Sequence, residues 1–243
     1  MSRLTETDFI NTFQYYKAEE WQRSGVKLLY DALPDALKSD YHAWIRTYRG
    51  GLKPTKPDIN QTDNVLIDVP FQSQNDNVSG TGYRECFSSS MAMIAMHYGK
   101  IQNDDAYNEV RARYGDSTDA HAQVQALLAL GLDATFITNA TTEDLKSALR
   151  EGRPCGVGWL HKGSSDAPQG TGHWSVICGF SDKDQCWTVN DPNGEILLSS
   201  GTYSDNLNGY QLQYSYKNFN PRWIVEGEGS GWMMDVRDPL AKK

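Results

Sequence analysis

The feature that most constrains this chain is a change of period near Arg150. Before it, apolar residues recur at helical spacing. Met91, Ile94, Ala95 and Tyr98 share one face of SSSMAMIAMHYG, a segment that reads as a buried helix ending at Gly99. Tyr107, Val110, Arg111 and Tyr114 keep the same step from Asp104 to Tyr114, and another helix is expected from Asp119 to Leu130, each stopped by a glycine. Thr141 and Asp144 form a capping box that opens a further helix. After Arg150 the texture is that of strands: PCGVGWL, HWSVICGF, CWTVNDP, QLQYSY and RWIVEG, with SDKDQ and DPNG as turns. Helices first and antiparallel strands second is the α+β pattern, in which a helical part packs on an antiparallel sheet and a cleft can form between them.

Upstream, Thr5 and Asp8 make a capping box, and Phe9, Phe13, Tyr16, Val26, Leu29 and Leu33 recur at helical spacing. GGLKPTKPDINQTDN then gathers glycine, proline and asparagine without periodicity. These features divide the chain into a helical N-terminal module over 1–49, a linker over 50–64 and a main domain over 65–243. The 243 residues and 39% hydrophobic content suit one cored domain with a small appendage. No apolar run is long enough to span a membrane, and the start carries no signal-peptide pattern, so a chain made in the cytoplasm is expected. A net charge of −8 without a basic stripe argues against nucleic acid or an anionic membrane as the main partner and favours a polar or cationic substrate. The four cysteines, Cys86, Cys155, Cys178 and Cys186, show neither C-x-x-C spacing nor a close histidine. Neither a metal nor a cofactor is expected, and reduced thiols are the expected state.

Cys86 stands where the loop NDNVSGTGYRE runs into the buried helix, so its sulfur is expected at a helix N-terminus, a place that favours a thiolate. His173 opens one strand and Asp191 closes another. A tight turn centred on Asp182 would bring His173 opposite Asp191, and Cys178 opposite Cys186. An acid that orients a histidine beside a nucleophile is what covalent catalysis requires. Taken singly, each residue has an ordinary reading: a buried cysteine, a strand-capping histidine, the first residue of a D-P-N-G turn.

Taken in order, VPFQSQNDN, ECFSSSMAMIAMHYG, GHWSVICGF and VNDPNG resemble the papain-like cysteine peptidases similar to bacteriocin-processing, double-glycine-leader peptidases, over roughly residues 65 to 195. The resemblance implies a papain-like fold with Cys86 as nucleophile, His173 as general base, Asp191 as its partner and Gln74 as the side-chain donor to the oxyanion, with Gln72 as a fallback. Glu85 departs from the glycine or small residue that such proteins often carry before the cysteine, and is expected to face solvent or Arg84. The segment after Tyr203 matches nothing in the family pattern.

The set specifies acyl transfer at an amide. Leader-processing relatives are fused to transporters, whereas free-standing relatives, some of them phage-encoded, resemble peptidoglycan-cleaving enzymes. A peptide or peptidoglycan substrate is therefore expected, with release to a cell wall or carriage in a particle as the implied setting. A catalytically silent papain-like module and a papain-like acyltransferase are the competing readings.

Overall fold

The computed structural model describes residues 64–240. The helical module expected over 1–49, and nearly all of the linker expected over 50–64, lie outside them. The described residues build an antiparallel sheet of seven strands. These include β1 (Asn64–Leu66), β2 (Asp133–Ala140), β3 (Cys155–Trp159), β4 (His173–Ser181) and β5 (Cys186–Asn190). A separate hairpin joins β6 (Glu195–Leu197) to β7 (Thr202–Asp205), and β8 (Leu212–Ser215) and β9 (Gly231–Arg237) return to the main sheet. The order is β2-β9-β3-β4-β5-β8, with β1 paired to β4.

Helices cover both faces of this sheet. On one face lie α1 (Cys86–His97), α2 (Asp104–Arg111) and α3 (Ala120–Ala129), whose Phe87, Met91, Ile94, Tyr107 and Leu127 pack with Trp174, Val176 and Val236. On the other lie α4 (Thr142–Arg150) and α5 (Tyr216–Trp223), whose Leu145, Leu149, Phe219 and Trp223 pack with Val157, Ile177 and Val189. A strand covered on both faces has no solvent side to make polar, so HWSVICGF reads as an almost unbroken buried run rather than an alternation.

The helix that carries Cys86 is buried from Phe87 to Ala95, more completely than one apolar face predicts. It lies between the sheet and its two neighbouring helices, and three consecutive buried serines tie it to each. Ser90 Oγ donates to the Trp174 carbonyl at 3.0 Å, Ser89 Oγ to Asp104 at 2.6 Å, and Ser88 Oγ accepts from Gln123 Nε2 at 3.0 Å. A hydroxyl inside a core costs stability unless bonded, and all three of these serines are. Phe87 stacks on Trp174 with ring centroids 3.6 Å apart, which sets the height of the helix over β4.

Three sequence expectations change. RWIVEG is not a strand: Arg222 and Trp223 end α5, where Trp223 Nε1 donates to the Trp232 carbonyl, so packing overrides a β-prone composition. Helices do not all precede strands either, because β2 lies between α3 and α4 and pairs with the last strand, β9. The turn after β4 is also longer than expected. Val176 faces Asn190 rather than Thr188, and Ser181 faces Cys186, with the extra residue absorbed in a bulge at Cys178. Cys178 and Cys186 therefore do not oppose each other. The first approaches the Thr188 carbonyl, the second Gln213, and all four cysteines are free. The capping box at Thr141 and Asp144 is present as expected.

One buried cation joins the outer pieces to the sheet. Arg222, fully buried, spends its five N–H groups on carbonyls: Leu160 at 3.0 Å, Lys162 at 3.1 Å, Gly163 at 2.6 Å, and Leu198 through both Nε and Nη2. It thereby pins the β3–β4 connection and the β6–β7 hairpin to α5. Replacing it by methionine fills the volume but strands these carbonyls. Arg222→Met is expected to lower unfolding stability by roughly 3–5 kcal/mol. Urea denaturation at neutral pH measures this, and a loss below about 1 kcal/mol would show that the carbonyls find other partners.

Candidate active site

Cys86 is the first residue of α1, preceded by a 3-10 turn over Gly82–Arg84, and its side chain is half-buried. As the first helical residue it has a backbone N–H with no carbonyl a turn behind it. The sulfur lies near enough to the His173 side chain to act on its charge. His173 itself is buried and sits at the start of β4, where its Nε2 meets Asp191 Oδ1 at 2.6 Å. The ring thus turns one nitrogen to the acid and leaves Nδ1 for the sulfur.

Asp191 follows β5 and is fully buried. Besides His173, its carboxylate accepts the Asn193 N–H at 3.0 Å on Oδ1 and the Tyr214 hydroxyl at 3.3 Å on Oδ2. The turn that was the ordinary reading of Asp191 exists as well, since the Gly194 N–H donates to the Asp191 carbonyl at 3.0 Å. Turn and histidine partner are one device: the turn fixes the backbone while the side chain points inward. Gly209 backs the same residue, and a Cβ there would lie 1.8 Å from the Asp191 carbonyl oxygen, so a side chain is excluded. His173 and Asp191 meet although the expected register was displaced by two residues, because an even displacement keeps both on the same sheet face as diagonal neighbours.

Burial alone would push the His173 ring towards neutrality, but the carboxylate of Asp191 and the sulfur of Cys86 act the other way and raise its pKa to about 10. The Trp159 ring stands edge-on to the imidazole with centroids 5.3 Å apart and closes off solvent.

Gln74 and Gln72 do not share a strand face, because the chain leaves β1 after Leu66 and Gln74 opens a 3-10 turn. Gln72 is engaged elsewhere, its Oε1 accepting the Asp104 N–H at the start of α2 at 3.1 Å. Gln74 is buried. Its backbone N–H donates to the Pro192 carbonyl at 2.9 Å, next to Asp191, and its Nε2 donates to the Gly82 carbonyl at 3.0 Å, four residues before Cys86. Its Oε1 is buried without a partner. The amide therefore lies between the acid turn and the turn that delivers the cysteine.

Glu85 contradicts its expectation. It is 2% exposed and does not meet Arg84, which pairs with Asp116 instead. The sequence does not mark His161 or Tyr203 as site residues, yet their rings lie 5.5 and 6.1 Å from that of His173. Burial and the neighbouring His173 charge lower the pKa of His161 to about 4, and nothing in its sequence neighbourhood signals the contact. His97 ends α1 with Nδ1 on the Asp68 carbonyl at 3.0 Å. Among the described residues, no three His, Cys, Asp or Glu side chains group as a metal site would require, and no helix is long and apolar enough to cross a membrane.

Residues 66–223 match the family model described as the Peptidase_C39 like family. The chain belongs to this family. The match extends through α5, past the span of the sequence resemblance. A C39-like peptidase from Bacillus anthracis is similar over 74% of this chain and 98% of its own, at 15% identity and a TM-score of 0.50, and shows the same papain-like fold. A double glycine motif protease from an AMS/PCAT transporter, solved with its leader peptide, covers 73% of this chain and 99% of its own at 20% identity and a TM-score of 0.46. The peptidase domain of Streptococcus ComA covers 72% and 97% at 16% identity and a TM-score of 0.41. No curated protein matches the chain.

A histidine whose pKa is raised from 6.5 to about 10 on folding keeps its proton over a range in which the unfolded chain releases it. Its contribution to stability is then complete below about pH 6.5 and lost as pH rises through about 10. The stability difference between wild type and His173→Gln, from denaturant unfolding, is expected to change in that sense across this window. A difference constant from pH 6.5 to 10 would mean that the ring is not held charged.

Proposed function

We propose that this family member is a thiol-dependent amide hydrolase acting on peptides, with Cys86 as nucleophile, His173 as general base and acid, Asp191 as its orienting partner and Gln74 as an oxyanion donor. The observation that carries the reading is the His173 ring held between two groups: Nε2 on the buried Asp191 carboxylate at 2.6 Å, and the other side towards the Cys86 sulfur.

In this reading His173, held charged, already carries the proton on Nδ1 as the Cys86 sulfur attacks the amide carbon. A C–S bond forms, and the carbonyl electron pair moves onto oxygen. The resulting oxyanion faces the Cys86 N–H and the Gln74 amide, each such donor being worth roughly 3 kcal/mol in comparable sites. His173 then gives its proton to the leaving nitrogen as the C–N bond breaks. Water, giving its proton to the now neutral ring, attacks the thioester, breaks the C–S bond, releases the acid and restores the sulfur beside the charged His173. Asp191 holds the ring orientation and offsets the imidazolium charge throughout. The burial of Gln74 and the single N–H it spends on Gly82 support its role, since the second N–H remains for the oxyanion. Peptides of the cell-wall polymer are the substrate class we carry forward from the sequence resemblance. Clearing of a peptidoglycan suspension with new free amino groups supports that class, and no clearing removes it.

On a cleavable peptide, Cys86→Ala is expected to abolish hydrolysis without unfolding the protein, while Asp191→Asn retains a fraction. Gln74→Ala should lower kcat by about two to three orders of magnitude with KM nearly unchanged. Gln72→Ala should touch stability through α2 and leave kcat alone. Wild-type activity in Cys86→Ala would remove the peptidase reading.

A further inference from the structure

Glu85 is the residue whose placement the proposed chemistry does not explain. A carboxylate one residue before the nucleophile opposes negative charge on the sulfur, and burying it costs more still. Here it is buried and collects donors from an entire loop. Asn77 Nδ2 reaches Oε2 at 2.7 Å, Ser79 Oγ reaches Oε2 at 2.8 Å, and Thr81 Oγ1 reaches Oε1 at 2.7 Å. From α2, Asn108 Nδ2 approaches Oε2 at 3.4 Å, while Asn108 Oδ1 accepts from Arg111 at 2.9 Å. Burial would raise this carboxyl's pKa, but the bonds from Asn77, Thr81 and Ser79 and the Arg111 charge more than offset it and leave it lowered. The side chain does not cap α1, although Glu85 is the residue before its first turn.

The gathered loop ends at Gly82, whose carbonyl accepts two donors: the Glu85 backbone N–H at 2.9 Å and Gln74 Nε2 at 3.0 Å. Because Gln74 Oε1 has no partner, that carbonyl is the anchor of the amide. The approach is close. A Cβ on Gly82 would lie 2.0 Å from the Gln74 carbonyl oxygen, so no other residue lets the two turns touch this way.

We propose that Glu85 is a positioning residue for the oxyanion site, its buried carboxylate holding loop 77–82 so that the Gly82 carbonyl aims the Gln74 amide. The proposal rests on the assignment of Cys86 and Gln74 in the proposed function. It accounts for an acid beside a nucleophile, because the charge is spent on loop geometry and balanced through Asn108 and Arg111. An amide at position 85 would present an NH2 group to donors that need an acceptor.

The two effects of Glu85→Gln are separable without a natural substrate. Acylation of Cys86 by p-nitrophenyl acetate passes through an oxyanion. Alkylation by iodoacetamide displaces iodide at a saturated carbon and does not. Both rates are read on the Cys86 peptide by mass spectrometry, in wild type, Glu85→Gln, Gln74→Ala and the double variant. Acylation is expected to fall roughly ten- to hundredfold in Glu85→Gln, as for a donor moved by about an ångström, while alkylation stays level or rises. In the Gln74→Ala background the Glu85→Gln change should cost little more, because the two act on one contact. Thr81→Val removes one donor from an exposed position and leaves the charge in place, so it reports even if Glu85→Gln fails to fold. It should lower acylation severalfold with alkylation unchanged. Equal falls in both rates, no fall in either, or additivity with Gln74→Ala would overturn the proposal. Release of p-nitrophenol undiminished in Cys86→Ala would instead remove the nucleophile assignment on which it rests.

Discussion

A carboxylate and an imidazole meet at 2.6 Å inside this protein, and much of the sheet serves to keep them there. Removing both from water is expensive, and their attraction repays the cost only if the remaining lone pairs are bonded and the geometry is tight. The structure meets both conditions. The Asn193 N–H and the Tyr214 hydroxyl take up the rest of the Asp191 carboxylate, and Gly209 lets β8's approach pass close behind its carbonyl. His173 gains an edge-on Trp159, whose Nε1 is itself fixed to Ser175 at 3.1 Å. Orientation of the ring is thus decided before any substrate arrives, which makes preorganised catalysis possible.

The other half of the site comes from a helix rather than a strand, and the two halves are brought together by buried polar groups. Ser88, Ser89 and Ser90 bind α1 to α3, α2 and β4. The segment from Val69 to Gln74 runs beside the acid turn, with the Val69 carbonyl on Asn190 Nδ2 at 3.0 Å and the Gln74 N–H on Pro192. Hydrophobic packing alone would allow α1 to slide along the sheet. Directional bonds at both ends of the Cys86 turn remove that freedom.

Cys86 at a helix start, the capping box at Thr141 and the α+β class were legible because each rests on local chemistry: a loop meeting an apolar period, or a side chain reaching three residues ahead; the papain-like fold was implied only by the family resemblance. The His173 and Asp191 pairing was legible for a weaker reason. Parity survives a displacement of two, so the shared face was right while the register was not, and nearer the turn the bulge at Cys178 carried Cys178 and Cys186 apart. What escaped was set by partners far along the chain. GWMMDVR becomes β9 because β2 and β3 flank it, and the β-prone RWIVEG joins a helix because Trp223 fills a slot beside Trp232. Glu85 is the sharpest case. A charged residue next to a polar loop reads as solvent-facing, and only the fold reveals that Asn77, Ser79 and Thr81 turn inward to meet it.

The central claim is that Cys86 forms the covalent bond while the Cys86 N–H and the Gln74 amide receive the oxyanion. A crystal structure of the protein treated with a peptide aldehyde tests it in one measurement. The account predicts a bond from Cys86 Sγ to the aldehyde carbon. The resulting oxygen should lie within hydrogen-bonding distance of both donors, with His173 still on Asp191. An adduct on another side chain, or a Cys86 adduct whose oxygen points away from Gln74, would contradict it.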